Sequence, residues 1–191
     1  MELDLSLPSV GAAYANKMLA QPGVFDDRAN LRRIITGICT TNRENKNGRV
    51  FDPESALIFD MPIPLLFNHD WRIPVGRVTK LKPTPEALFF EARIVDGVLP
   101  WAQKCWEHLR SGDLPAVSVK GWGHDRWRLF EISVCEAGAC HGATVHTVKS
   151  VLNQHIVYLD GRPRETIHRD ARPSSLKCGA PTSAQSARAS M

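Results

Sequence analysis

The chain has 191 residues, 43% of them hydrophobic and 23% charged, the make-up of an ordinary globular protein with room for one sizeable core. Its formal net charge of +4 is not gathered into any Lys/Arg block, so the composition does not call for nucleic acid as a partner. No run approaches the roughly 18 apolar residues of a membrane span, and the N-terminus Met1-Glu-Leu-Asp-Leu5 is acidic where a signal peptide is basic, so a cytoplasmic chain is expected.

Residues 1–30 read as a peripheral N-terminal segment, with a short helix over 12–20 that ends at Gln21-Pro22-Gly23. A globular domain is expected over 31–160. Arg33-Ile-Ile-Thr-Gly-Ile-Cys-Thr40 is rich in β-branched residues and predicts a strand. A polar loop follows, with turn chemistry at Asn47-Gly48, and then the short apolar segment Ala56-Leu-Ile-Phe59. Pro64-Leu-Leu-Phe67 runs apolar into Asn68-His69-Asp70, crosses a polar turn and resumes as a strand at Pro74-Val-Gly-Arg-Val78. Residues 75–81 and 87–95 make a strand pair joined by Lys82-Pro-Thr-Pro-Glu86.

The clearest helix covers 98–111, with Val98, Ala102, Cys105 or Trp106, and Leu109 at helical spacing and Gly112 as its stop. Leu114-Pro-Ala-Val-Ser-Val-Lys-Gly-Trp122 and Trp127-Arg-Leu-Phe-Glu-Ile-Ser-Val-Cys135 read as partner strands. Residues 143–151 fit strand or helix. Beyond 160 the chain turns polar, and 161–191 reads as a flexible tail lacking the apolar content to fold. The expected class is α+β: a small, mostly antiparallel β-barrel or sheet with one or two helices.

Chemistry concentrates at three residues. His69 stands where an apolar strand meets a loop, a place where a scaffold can fix a side chain and leave it open. Its imidazole can take and return a proton near neutral pH, although a lone histidine there is more commonly structural. Ser118 lies in a strand where Val117 and Val119 face one way and Ala116, Ser118 and Lys120 the other. If residues 123–126 form a four-residue hairpin loop, Trp122 faces Trp127 and Ser118 lies opposite Glu131. A serine hydroxyl becomes a nucleophile only with a base, and the base needs an orienting group; His69 and Glu131 offer these.

Asn68-His69-Asp70 followed by Pro74-Val-Gly-Arg-Val78 resembles the histidine motif of tailed-phage prohead proteases, capsid-maturation serine proteases that share their fold with the herpesvirus assemblins. Ala116-Val-Ser118-Val-Lys-Gly121-Trp122 looks like the family's serine strand, and Leu129-Phe-Glu131-Ile-Ser133 matches its glutamate strand. The resemblance spans about 33–150, in the family's order. It departs in the extra Lys120 and in Glu136-Ala-Gly-Ala139, where the family has a Pro-Ala-Asn-like stretch.

The resemblance implies a serine endopeptidase that cleaves scaffold or capsid-protein segments, and itself, during prohead maturation. It places the chain in the bacterial host cytoplasm or inside the phage prohead, with the scaffold or major capsid protein as substrate. It implies no cofactor, and neither nucleic acid nor membrane as a partner; a homodimer stays open. Ser118 is then the nucleophile, His69 the base and Glu131 the orienting group. Assemblins use a second histidine in the third role, so His141 and His146 stay open as alternatives.

Two other classes compete: a catalytically inactive capsid-assembly protein that keeps the fold, and a small β-barrel binding module. Zinc is disfavoured, because Cys105-x-x-His108 and Cys135 with Cys140-His141 lack the paired spacing of a structural site. The five cysteines, odd in number and scattered, fit reduced thiols.

Overall fold

A computed structural model describes residues 4–25, 31–55, 62–97, 99–123 and 126–152. The apolar segment 56–59 and the tail 161–191 lie outside the described residues. The chain is α+β, with two helices and one seven-stranded sheet among the described residues. In chain order the elements are α1 (Pro8–Leu19), β1 (Leu31–Thr41), β2 (Pro64–Phe67), β3 (Asp70–Pro83), β4 (Ala87–Ile94), α2 (Pro100–Ser111), β5 (Ala116–Gly123), β6 (Trp127–Cys135) and β7 (Val145–Leu152).

The sheet order is β5-β6-β2-β3-β4-β1-β7, antiparallel throughout except where β2 runs parallel to β6. The sheet curls until its ends meet. Ala116 bridges Thr144, and the Val117 N–H donates to the Ala143 carbonyl. Within 143–151, for which periodicity allowed strand or helix, the chain is strand from Val145 on, because β7 completes the ladder on the free edge of β1.

The core fills the concave side. Ile35, Leu65, Val75, Leu88, Ile94, Val117, Ile132 and Val134 pack there against Trp106 and Leu109 of α2. Helix α2 begins at Pro100, where the missing N–H costs nothing, and ends at Gly112, whose φ of 87° suits the left-handed cap. The Trp101 indole N–H ties the helix to β3 through the Pro74 carbonyl, 2.9 Å away.

A second, smaller cluster of Ala15, Leu66 and Trp71 lies apart from the main core. Leu65 and Leu66 are neighbours on β2 and fall into different clusters, as the period of two on a strand requires. The helix expected over 12–20 starts earlier, at Pro8, and α1 lies against β3. Gly11 is the point of contact: a Cβ there would run into the Trp71 ring.

The β5–β6 register differs from expectation. Trp122 lies opposite Arg128 and Gly123 opposite Trp127, while Ser118 lies opposite Ser133 and Lys120 opposite Glu131. The two tryptophans want different surroundings. Trp127 is buried, stacks on Phe51 and donates its indole N–H to the Asp52 carbonyl, whereas Trp122 is 75% exposed. Facing rungs share one side of a sheet, so they could not pair. A bulge then makes up the count: Phe130 is the extra residue between the pairs Lys120–Glu131 and Gly121–Leu129.

Candidate active site

The strand beginning at Asp70 leaves only Asn68 and His69 to connect β2 to β3, with Phe67 paired to Asp70. Both loop residues have positive φ, 48° and 62°, the pattern of a two-residue type I′ hairpin turn. Asparagine tolerates this region well, while a histidine in the second place is unusual and is held there by its surroundings. The polar turn expected between Asp70 and Pro74 is in fact strand.

That turn projects beside β6. Because β2 runs parallel to β6, Leu66 pairs with Ser133 and Phe67 with Val134, and the Asn68 N–H donates to the Val134 carbonyl. The His69 N–H donates to Ser133 Oγ at 3.0 Å. Ser133 Oγ donates in turn to Glu131 Oε2 at 2.7 Å. The other carboxylate oxygen, Oε1, lies 2.5 Å from His69 Nδ1. Three residues thus close a ring of hydrogen bonds through the backbone and side chain of His69.

Glu131 and Ser133 are wholly buried, on the face of β6 opposite the core residues Ile132 and Val134. A buried carboxylate is costly unless both oxygens are bonded, and here both are. The His69 side chain is 40% exposed, so one edge of the ring meets the carboxylate and the rest stays open. The neighbouring Asp70 carboxylate is engaged by Arg72 through two bonds of 2.9 Å, which hold its pKa below the usual range. The hydrogen bond to Glu131 raises the pKa of His69; burial and the charge of Lys120 oppose that rise.

Ser118 enters through strand pairing. It lies opposite Ser133, 7% exposed, on the face that carries Glu131. Between Ala116 and Lys120 the displacement from the expected register is two rungs, so Ser118 and Glu131 stay on one face and become diagonal neighbours with Cβ atoms about 7 Å apart. Among the described residues no hydrogen bond joins the Ser118 hydroxyl to His69. His141 and His146 are exposed and stand on the β6–β7 connection and on β7; Glu131 is the group at the His69 ring. Ser133 stands in the sequence as the end of the glutamate-strand motif, and its bonding to His69 and Glu131 is what the pattern does not show. Its signal was its place two residues after Glu131, on the same strand face.

A buried carboxylate that fixes the Nδ1 side of an imidazole leaves Nε2 as the proton acceptor, the arrangement needed to activate a hydroxyl. Four of the cysteines, Cys39, Cys105, Cys135 and Cys140, are free thiols. Burial pushes Cys105 up to about 12 and Cys39 higher still, so neither is a nucleophile at neutral pH.

No family model matches the chain. It is 28% identical over 138 residues to a capsid polyprotein of Pseudomonas phage PAJU2, an overlap that covers 63% of this chain and 20% of that protein. The chain therefore spans about a fifth of the length of this relative. Among solved structures it is similar to the protease of Kaposi's sarcoma-associated herpesvirus bound to a hexapeptide phosphonate inhibitor, with a TM-score of 0.47, 13% identity and coverage of 63% of this chain and 65% of that one. It is also similar to the varicella-zoster virus protease, with a TM-score of 0.44, 17% identity and coverage of 62% and 64%.

Proposed function

We propose that this chain is a serine endopeptidase that cleaves scaffold or capsid-protein segments, and itself, inside an immature phage shell. The observation that carries the reading is the closed hydrogen-bond ring of His69, Ser133 and Glu131, with Ser118 on the facing rung of the same sheet face. The similarity to a phage capsid polyprotein supports the choice of capsid proteins as substrate.

In this reading Ser118 Oγ attacks the scissile carbonyl carbon while its proton passes to His69 Nε2. The imidazolium keeps its Nδ1–H on Glu131, whose buried charge stabilises it. Collapse of the tetrahedral adduct breaks the C–N bond, and Nε2 delivers the proton to the leaving amine. Water then repeats the sequence on the acyl-enzyme, which frees Ser118 and the new carboxylate. No step calls for a cofactor.

The test is labelling by a fluorophosphonate probe together with cleavage of a co-expressed capsid-protein N-terminal segment. Wild type should label and cleave, and Ser118→Ala should do neither while keeping its thermal transition. Absence of labelling in wild type would point to a capsid-assembly protein without activity. Labelling that persists in Ser118→Ala would move the nucleophile elsewhere.

A further inference from the structure

A cation shares the face of these residues. Lys120 lies two residues past Ser118 on β5 and opposite Glu131 on β6. Its ammonium sits 5.7 Å from the centre of the Trp71 ring. Lysines on a strand usually carry their charge out to water; an aromatic face gives this one a reason to stay. Trp71 is itself fixed. It is buried on β3, two residues after His69, and backed by Gly11 of α1.

The charges around His69 can be named element by element among the described residues. Glu131 comes from β6 and Lys120 from β5. From β3 comes Asp70, already paired with Arg72, and the influence of Tyr14 on α1 falls on Arg72. Glu131 favours the imidazolium, while burial of the ring and the charge of Lys120 work against it.

We infer that Lys120 is a positioning residue of this site: its ammonium, held over Trp71 on the rung opposite Glu131, works against protonation of the His69 ring and so favours the form that accepts a proton. The inference rests on the reading of His69 as the base. Lys120 belongs to what distinguishes this chain from the motif it resembles, and this gives the extra residue a task.

The experiment reads the ring directly and needs no turnover. In a Ser118→Ala background, the 13C–1H ring signals of His69 are assigned by their loss in His69→Gln and followed against pH. Lys120→Met, which keeps the stem over Trp71, should raise the His69 midpoint by about half a pH unit, the effect of removing one like charge several ångströms away in a high-dielectric setting. Lys120→Arg should restore the parent midpoint. An unmoved His69 midpoint in Lys120→Met overturns the inference, whether or not wild type cleaves peptides. A raised midpoint in a protein without peptidase activity would sustain the role of Lys120 and count against the proposed function.

Discussion

His69 Nδ1 lies 2.5 Å from Oε1 of Glu131, an exposed ring held by a wholly buried carboxylate from a strand 62 residues away. Two features of the fold make the contact. The Asn68-His69 turn takes positive φ at both positions, and the parallel pairing of β2 with β6 sets that turn beside Ser133. Each leads to an expected outcome.

Ser118→Ala and His69→Ala should each lower peptide cleavage by several orders of magnitude, and the double variant should be no slower than either. Members of one catalytic unit are strongly non-additive. Single-turnover cleavage of a capsid-derived peptide measures this. Losses that multiply in the double variant would separate the two residues mechanistically.

Glu131→Gln should leave activity about 10²- to 10⁴-fold below wild type, above that of Ser118→Ala, because the amide can still touch Nδ1 but favours the wrong tautomer. His141→Ala and His146→Ala should stay within about threefold of wild type, a difference too small to signal loss of a catalytic group. A dead His146→Ala beside a normal Glu131→Gln would reassign the third role.

Ser133→Ala removes the donor to Glu131 Oε2 and the acceptor of the His69 N–H together. The stability cost should be about 1–3 kcal/mol, typical for leaving buried polar groups unmet. Ser133→Thr retains a hydroxyl and should recover part of the loss. Urea denaturation run beside kcat/KM tests both; a Ser133→Ala protein with unchanged stability and rate would remove the ring from the account.

The pH profile has a definite sign. Glu131 raises the pKa of His69 above its ordinary value of 6.5, and the base must be neutral to act. The acid limb of kcat/KM should therefore lie above pH 6.5 and move down in Glu131→Gln. For folding, a raised histidine pKa contributes stability that is full below the unfolded value and lost as pH climbs through the folded value. The His69–Glu131 contribution should thus fade on the alkaline side of pH 6.5. An acid limb below 6.5 in wild type would contradict the geometry.

Gly11→Ala should cost about 1–3 kcal/mol by overpacking α1 against Trp71. If Trp71 shifts, the seat of Lys120 shifts with it, so the same variant should raise the His69 midpoint. A chemical melt checks the first effect and the ring titration the second.

Much of the fold could be read locally. The β-branched run of β1, the alternation in β5 and the spacing of Ala102, Cys105 and Leu109 in α2 each reflect a pattern that one segment carries alone. Residues 143–151 resisted because β7 is defined by the edge of β1 that it covers, which is a tertiary fact. The β5–β6 register resisted for a similar reason. Trp122 and Trp127 look alike as neighbours of a hairpin, and only the pocket formed with Phe51 and the Asp52 carbonyl tells them apart.

By itself the sequence determined which residues carry reactive groups, that Ser118 and Glu131 sit on strands and that His69 stands at a strand end, where a rigid scaffold could hold it. Whether Ser118 and Glu131 share a side depends on the register, which a one-residue slip would reverse; the observed offset at Ser118 is two rungs, so they lie on one side. Only the tertiary structure decided which carboxylate meets the imidazole. Asp70 is the sequence neighbour but turns to Arg72, while Glu131 arrives through a parallel pairing between strands far apart in the chain. It alone made Ser133 a hinge of the ring, and brought Lys120 and Trp71 together beside it. Local periods come from bonds along the chain, whereas these contacts come from strand order and burial, which no single segment encodes.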